Sequence, residues 1–284
     1  MDIEKIRNLK LPPIEHRYEF RDTILYALGL GYGADPLDES ELRFVYEENI
    51  KVVPAICSVL SHPGFWLKDP QYKVNWVKVL HAEQAFVIHS PLPSAGCVRG
   101  EYRVVGVEDK GADKGAMLHV EKTLFNVVDN VRLATVRSSV FLRGDGGQGG
   151  FGDTVPAPSA ITAREPDRVV ELPTLPSAAL IYRLSGDYNP LHADPKIARQ
   201  AGFDRPILHG LCSYGIACRA ILKAYCGDDP LRLRSMFSRF SSPVYPGETI
   251  RFEFHEIGGE IRFKAVVKER GVIVLDRCSA EVTA

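Results

Sequence analysis

Residues 182–215 read YRLSGDYNPLHADPKIARQAGFDRPILHGLCSYG, and the rest of the chain is best understood outward from them. Ser177–Leu184 and Pro195–Ala201 have helical spacing. A longer apolar helix is expected over Gly210–Tyr225, with Leu211, Tyr214, Ala217, Ile221 and Leu222 along it. Between them, Asp187, Asn189 and His192 share one short loop. Gly186 permits a conformation that other residues resist, and Pro190 fixes its own φ and biases Asn189 away from helix. An isolated Asp-x-Asn-Pro is usually just an Asx turn. Here a histidine follows the proline by two residues, and His209-Gly210-Leu211 opens the apolar helix.

A carboxylate, an imidazole, an amide and a free backbone N–H at a helix start can move protons on an activated carbonyl compound. The helix N-terminus suits the negative charge that such a carbonyl gathers, and Gly210 has no Cβ to obstruct its approach. Asp187 and His192 can divide two proton transfers, although their spacing does not say which is acid and which is base. Asn189 carries both a donor and an acceptor for orienting water or substrate.

The segments on either side point to a helix laid on an antiparallel sheet. After the long helix, Ile250, Phe252 and Phe254 alternate with charged residues, as do Ile261, Phe263, Ala265 and Val267, with Gly258-Gly259 as the hairpin turn. Upstream, a helix is expected over Arg21–Leu30, capped by Asp22 or Thr23, and a short buried central helix over 50–60. Strands follow at His81–Ile88, Val98–Val107, Met117–Val128 and Val131–Leu142, with Asp109-Lys110-Gly111 and Asp129-Asn130 as turns.

The two halves are copies. Residues 90–96 (SPLPSAG) parallel 242–247 (SPVYPG), and residues 26–32 (YALGLGY) parallel 182–188 (YRLSGDY). In the second pairing Gly31 stands opposite Asp187, so the first copy has the scaffold without the acid. Gly29, Gly31 and Gly33 lie around that degenerate position, and the volume they leave is expected to form an apolar tunnel lined by the 50–60 segment. The expected organisation is a degenerate half on the acyl-chain side over 1–152, a linker over 153–176 and a catalytic half over 177–284.

Composition narrows the function further. The chain has 284 residues and a net charge of −1, so it has no basic field for nucleic acid or an anionic membrane. The six cysteines are scattered without a CxxC pair, which suits buried thiols in a reducing compartment. No apolar run has spanning length, and a cytoplasmic protein is expected, or a peroxisomal one despite a C-terminus unlike SKL. GDGGQG at 144–149 matches GxGxxG, but Asp-Thr-Val-Pro-Ala-Pro follows where a crossover helix must open. It reads as a flexible strand exit. The histidines have no metal spacing, and neither metal nor cofactor is expected.

SGDYNPLH together with ILHGLCSYG resembles the signature of the hydratase 2 (MaoC-like) family, and the resemblance extends over nearly the whole chain. HAEQ at 81–84 is similar to the family's HGEQ, with Ala82 replacing Gly. PLPSAG, EDKG, RGDGGQGGFG and SRFSSPVYPGE resemble further family blocks. The resemblance implies a double hotdog of α+β class and (R)-specific hydration of 2-enoyl-CoA to 3-hydroxyacyl-CoA, with a homodimer as the expected assembly. It implies catalytic roles for Asp187, Asn189, His192 and the Gly210 N–H. It also implies acyl-CoA contacts at His81, Ala82, Lys110, Tyr188, Pro190, Leu191 and Phe240, besides those four. Glu47 and Glu48 fit one further acidic position equally well. The rival readings are a hotdog thioesterase and a non-catalytic acyl-CoA binding module.

Overall fold

The computed structural model describes residues 1–153, 157–161 and 164–283. Its strands are β1 (Ile14–Tyr18), β2 (Val79–Ile88), β3 (Gly96–Asp109), β4 (Ala116–Asn126), β5 (Arg132–Leu142) and β6 (Phe151–Gly152) in the first half. The second half supplies β7 (Arg168–Pro173), β8 (Leu233–Phe240), β9 (Thr249–Ile257), β10 (Glu260–Val267) and β11 (Val272–Val282). All join one antiparallel sheet in the order β1-β3-β4-β5-β2-β8-β11-β10-β9-β7, with β6 against β3.

That order is a mirror about its centre: β2 faces β8, β5 matches β11, β4 matches β10, β3 matches β9, and β1 matches β7. The halves are therefore two hotdogs sharing a continuous sheet. They join where Glu83 pairs with Arg239 and Val87 with Ser235. Joining two sheets edge to edge leaves no exposed ladder at the seam.

The helices are α1 (Ile3–Arg7), α2 (Phe20–Gly29), α3 (Glu39–Leu42), α4 (Ala178–Tyr182), α5 (Pro195–Gln200) and α6 (Gly210–Ile221). Helix α6 buries ten of its twelve residues, which accounts for its nearly continuous apolar sequence. It crosses α2 so closely that a Cβ on Gly215 would lie 2.5 Å from Leu30 Cδ2 and 3.0 Å from the Tyr26 hydroxyl. Helices α2 and α4 meet through the paired tyrosines of the repeat, with the Tyr26 and Tyr182 ring centroids 5.7 Å apart.

The first-half counterpart of α6 is much reduced. The helix expected over 50–60 is a single 3₁₀ turn, Pro54–Ser58, fully buried. Pro54 contributes no N–H, and the backbone turns left-handed at Ser61, φ 53°. The carbonyls that a longer helix would bond internally are taken by Lys122. Its buried ammonium donates to Cys57 O at 2.8 Å, Ser58 O at 3.2 Å and Leu60 O at 2.6 Å. Burial lowers the Lys122 pKa to about 8.

Several expectations are corrected in detail. Helix α2 is capped by Glu19 rather than Asp22 or Thr23, and Asp22 returns the bond by accepting from the Glu19 N–H at 2.8 Å. The long helix stops at Ile221, and a π-turn over Leu222–Cys226 leads to left-handed Gly227. Val128 lies in the turn after β4, not in the strand. The stretch read as linker contains β7, paired with β9 from Arg168↔Phe254 to Pro173↔Thr249. Its residues 154–156, 162 and 163 lie outside the described residues. The glycine-rich segment is held down rather than loose: the Asp109 carboxylate accepts from Gly147 N at 2.8 Å and Gly149 N at 2.7 Å. Those bonds and one from Gly111 hold the Asp109 carboxyl below the usual range.

The volume expected around the first-half glycines is already filled. A Cβ on Gly29 would meet Tyr182 Cα at 3.3 Å, one on Gly31 the Arg219 guanidinium at 2.9 Å, and one on Gly33 Val45 at 3.1 Å. Ala55 and Cys57, in the segment meant to line the tunnel, are packed core. Arg219 is itself buried. It pairs with buried Glu41 at 2.6 Å and donates to Leu30 O at 3.1 Å, so an ion pair occupies the place of a tail.

Candidate active site

The SGDYNPLH loop is built from two successive Asx turns. Asp187 Oδ1 accepts from the Asn189 N–H at 3.1 Å, and Asn189 Oδ1 accepts from the Leu191 N–H at 3.1 Å. Gly186 has φ 114°, and a Cβ placed on it would meet nothing within 4 Å, so glycine is required here by backbone conformation rather than by crowding. Pro190 opens the 3₁₀ turn that carries Leu191 and His192. The Asx geometry therefore serves the site. It leaves the second Asp187 oxygen and the Asn189 amide nitrogen available, while the Asn189 carbonyl oxygen is already engaged.

His192 is buried, and its Nδ1 lies 2.9 Å from Ile207 O. A carbonyl only accepts, so Nδ1 carries the proton and Nε2 of the neutral ring is bare. Burial lowers the His192 pKa, partly opposed by the Ile207 bond and by Asp187. The ring is thus a neutral base at ordinary pH. Asp187, His192 and His209 place one donor atom each within 4.8 Å of one another. The two imidazoles stack, centroids 3.7 Å apart and planes 28° off parallel. His192 Nδ1 and His209 Nε2 both face backbone carbonyls, Ile207 O and Asp187 O, which leaves one bare nitrogen on each ring.

Residue 210 follows immediately, as the first residue of α6 after the N-cap His209. The Gly210 N–H lies in the first turn, where no intrahelical acceptor exists. A Cβ at Gly210 would face the Phe240 ring at 3.4, 3.5 and 3.7 Å, so glycine keeps open a slot between the helix start and that ring. Across the slot, Phe240 meets His81 with centroids 4.8 Å apart. His81 comes from β2 and Phe240 from β8, so the seam between the hotdogs forms this wall of the site.

Ala82 is the extra residue of a β-bulge, since His81 pairs with Val140 and Glu83 with Ser139 on β5. The bulge lets His81 Nε2 turn back to Glu83 O at 3.2 Å and Gln84 Oε1 at 3.1 Å. Gln84 in turn donates to Ser58 Oγ at 3.2 Å, tying the HAEQ block to the reduced first-half turn. Burial keeps His81 neutral by lowering its pKa.

The remaining expected contacts are less closely joined. Tyr188 is exposed beneath the Arg183 guanidinium, 5.1 Å from its ring centroid. Lys110 lies at the β3–β4 turn, ion-paired with Glu108 two residues away. No described contact joins it to the Asp187 cluster. Glu47 and Glu48 are exposed. The residue that the sequence left unassigned is His209, noted only as the neighbour of Gly210. A histidine at the N-cap of a largely apolar helix, where Ser, Thr, Asp or Asn is favoured, was the available signal.

Comparison with known proteins agrees with this architecture. The MFE-2 hydratase 2 N-terminal domain matches residues 16–144 and the MaoC like domain residues 158–277. The chain is 39% identical over 282 residues to "Enoyl-CoA hydratase 2, peroxisomal" of Arabidopsis thaliana, covering 94% of this chain and 91% of that protein. It is 34% identical over 281 residues to the peroxisomal multifunctional enzyme type 2 of Mus musculus, where 96% of this chain spans 37% of the relative. A crystal structure of a MaoC-like dehydratase from Phytophthora capsici matches with a TM-score of 0.87 at 38% identity, covering 99% of this chain and 98% of that one. On its sheet order, its loop and these relatives, the chain belongs to the hydratase 2 family of MaoC-like proteins.

Proposed function

We propose that the chain hydrates trans-2-enoyl-CoA to (3R)-3-hydroxyacyl-CoA in fatty acid metabolism, and dehydrates the product in reverse. The observation that carries this reading is the grouping of Asp187 and His192, its Nε2 bare, beside the open N-terminus of α6. A thioester carbonyl in the slot between Gly210 and Phe240 places its oxygen at the free N–H. Enolate charge then develops against the positive end of a helix. Water adds its oxygen to the β-carbon. The proton it releases passes first to His192 Nε2 and is relayed through the Asp187/His192 pair to the α-carbon, so one C–O and one C–H bond form as one O–H bond and the π bond of the alkene break. The Asn189 amide nitrogen orients the water or the thioester.

The catalytic machinery belongs to residues 177–284, and residues 1–152 contribute the substrate wall at His81 and Ala82. Lys110 meets the distant nucleotide end of the CoA carrier. The reading takes a homodimer as the working unit, tested by sedimentation equilibrium, and leaves cytoplasm and peroxisome to be separated by imaging. Among the described residues no helix is long and apolar enough to cross a membrane.

The test of function is spectroscopic. Purified protein with crotonyl-CoA and longer enoyl-CoAs should remove the enoyl absorbance without releasing free thiol, and the product should be the 3R isomer. Thiol release would favour the thioesterase, and no turnover of any enoyl-CoA would favour a binding module.

A further inference from the structure

We propose that His209 is a positioning residue that holds both proton-transfer groups at once, the Asp187 loop through its Nε2–H and the His192 imidazole through its ring face. This rests on the hydratase reading for its kinetic consequence, but its geometry stands independently. His209 is 1% exposed and forms the N-cap of α6. Its Nε2 lies 3.2 Å from the Asp187 carbonyl oxygen, which can only accept, so the proton sits on Nε2. Nδ1 is then bare and buried without a partner. A side chain with the sole task of capping a helix would turn an acceptor towards the first-turn N–H groups, and His209 makes no such bond.

The ring instead packs against His192, its centroid 3.7 Å away, and against the buried Tyr182, 5.1 Å away. His192 and His209 therefore hold opposite tautomers, Nδ1–H for the first and Nε2–H for the second. The Ile207 carbonyl holds one nitrogen of His192, but a single hydrogen bond only loosely constrains the tilt of the ring about Cβ–Cγ. The His209 plate removes that freedom and keeps the bare Nε2 aimed at the substrate side. It also excludes water from the covered face of His192. Protonating His209 would put a charge against His192, so it stays neutral: burial and then His192 lower its pKa to about 4. The charged or titratable groups acting on the pair from neighbouring segments are Asp187 and Arg183.

Three variants separate the two functions. His209→Phe keeps the plate and loses the N–H to Asp187. His209→Gln keeps a donor near the Nε2 position and loses the plate. His209→Leu loses both. Misaligning a catalytic group by a fraction of an ångström should lower kcat roughly ten- to a hundredfold in all three variants, through Asp187 in Phe, through His192 in Gln and through both in Leu, with KM within about twofold. The acid limb of kcat/KM should move to higher pH in Gln and Leu, because water reaches His192, and stay in place in Phe, where a ring still covers it. A purely structural role would lower thermal stability in all three and leave the limb unmoved.

Imidazole nitrogen-15 NMR of the wild-type protein supplies a readout that needs no turnover. His192 should appear as the Nδ1–H tautomer and His209 as the Nε2–H tautomer, both neutral at pH 7. Wild-type kcat in His209→Phe, or a rapidly exchanging tautomer mixture at His209, would overturn the inference. An inactive wild type with the expected tautomers would instead overturn the hydratase reading and leave the geometry standing.

Discussion

Gly210→Ala is the substitution whose outcome the geometry constrains most tightly. The added methyl would sit 3.4–3.7 Å from three Phe240 ring carbons, which is ordinary van der Waals contact and not a clash. The fold should therefore accept it, and alanine in the first turn of a helix should be neutral or stabilising by up to about 1 kcal/mol. In the proposed mechanism the same methyl closes the slot through which a thioester oxygen would approach the Gly210 N–H. Loss of one such donor typically costs about 3–4 kcal/mol of barrier, roughly a hundred- to a thousandfold in kcat. The assay is initial-rate hydration of crotonyl-CoA alongside thermal unfolding of the same sample. The expected outcome is a collapse of kcat with an unchanged or raised Tm. Phe240→Leu added to Gly210→Ala should restore part of the rate by reopening the gap. Near-normal kcat in Gly210→Ala would remove the helix N-terminus from the mechanism, and a large fall in Tm would show that the slot is needed for packing.

Glu41→Ala should strand the Arg219 guanidinium in the core, with the Lys223 ammonium nearby adding like charge, and cost about 3–5 kcal/mol by urea unfolding; a loss below about 1 kcal/mol would mean that water already solvates that charge. His209 has a folded pKa of about 4, below its unfolded value, so between about 4 and 6.5 the unfolded chain binds more protons. Stability should rise with pH through that window, and His209→Phe should flatten the rise. Lys122 gives the same sign at higher pH: with a folded pKa of about 8 against about 10.4 unfolded, stability contributed by this group rises from pH 8 to 10. Lys122→Met should abolish that component in denaturation curves taken across the range.

Much of this arrangement is legible in the sequence. Alternation of apolar and charged residues placed β9 and β10, and Gly258-Gly259 supplied the two left-handed positions their hairpin needs, φ 61° and 82°. Period and turn chemistry are local, and local signals survive in one sequence. What could not be read depends on distant partners. The shortening of the 54–58 turn depends on Lys122, more than sixty residues away on β4. The filling of the Gly29 and Gly31 positions depends on Tyr182 and Arg219, which belong to the other repeat. Small residues announce a space but not what occupies it. Edge strand β7 lacked a signal because it pairs on one side only and lies in a proline-rich stretch that read as linker. His209 was overlooked because stacking on His192 joins two segments that α5 separates in sequence, a relation that spacing does not encode.

The central claim is that Asp187 and His192 pass one proton from water to the α-carbon of an enoyl thioester. It is tested most directly by turning over crotonyl-CoA in oxygen-18 water and, separately, in heavy water. The wild type should place oxygen-18 on the β-carbon and one deuteron on the α-carbon. Asp187→Asn and His192→Ala should each slow both incorporations at least about a hundredfold; exposed Asp187 should be replaced at wild-type Tm, and the buried His192 at some cost in Tm but with the fold retained. Oxygen-18 recovered in a free carboxylate, or either variant incorporating label at the wild-type rate, would contradict it.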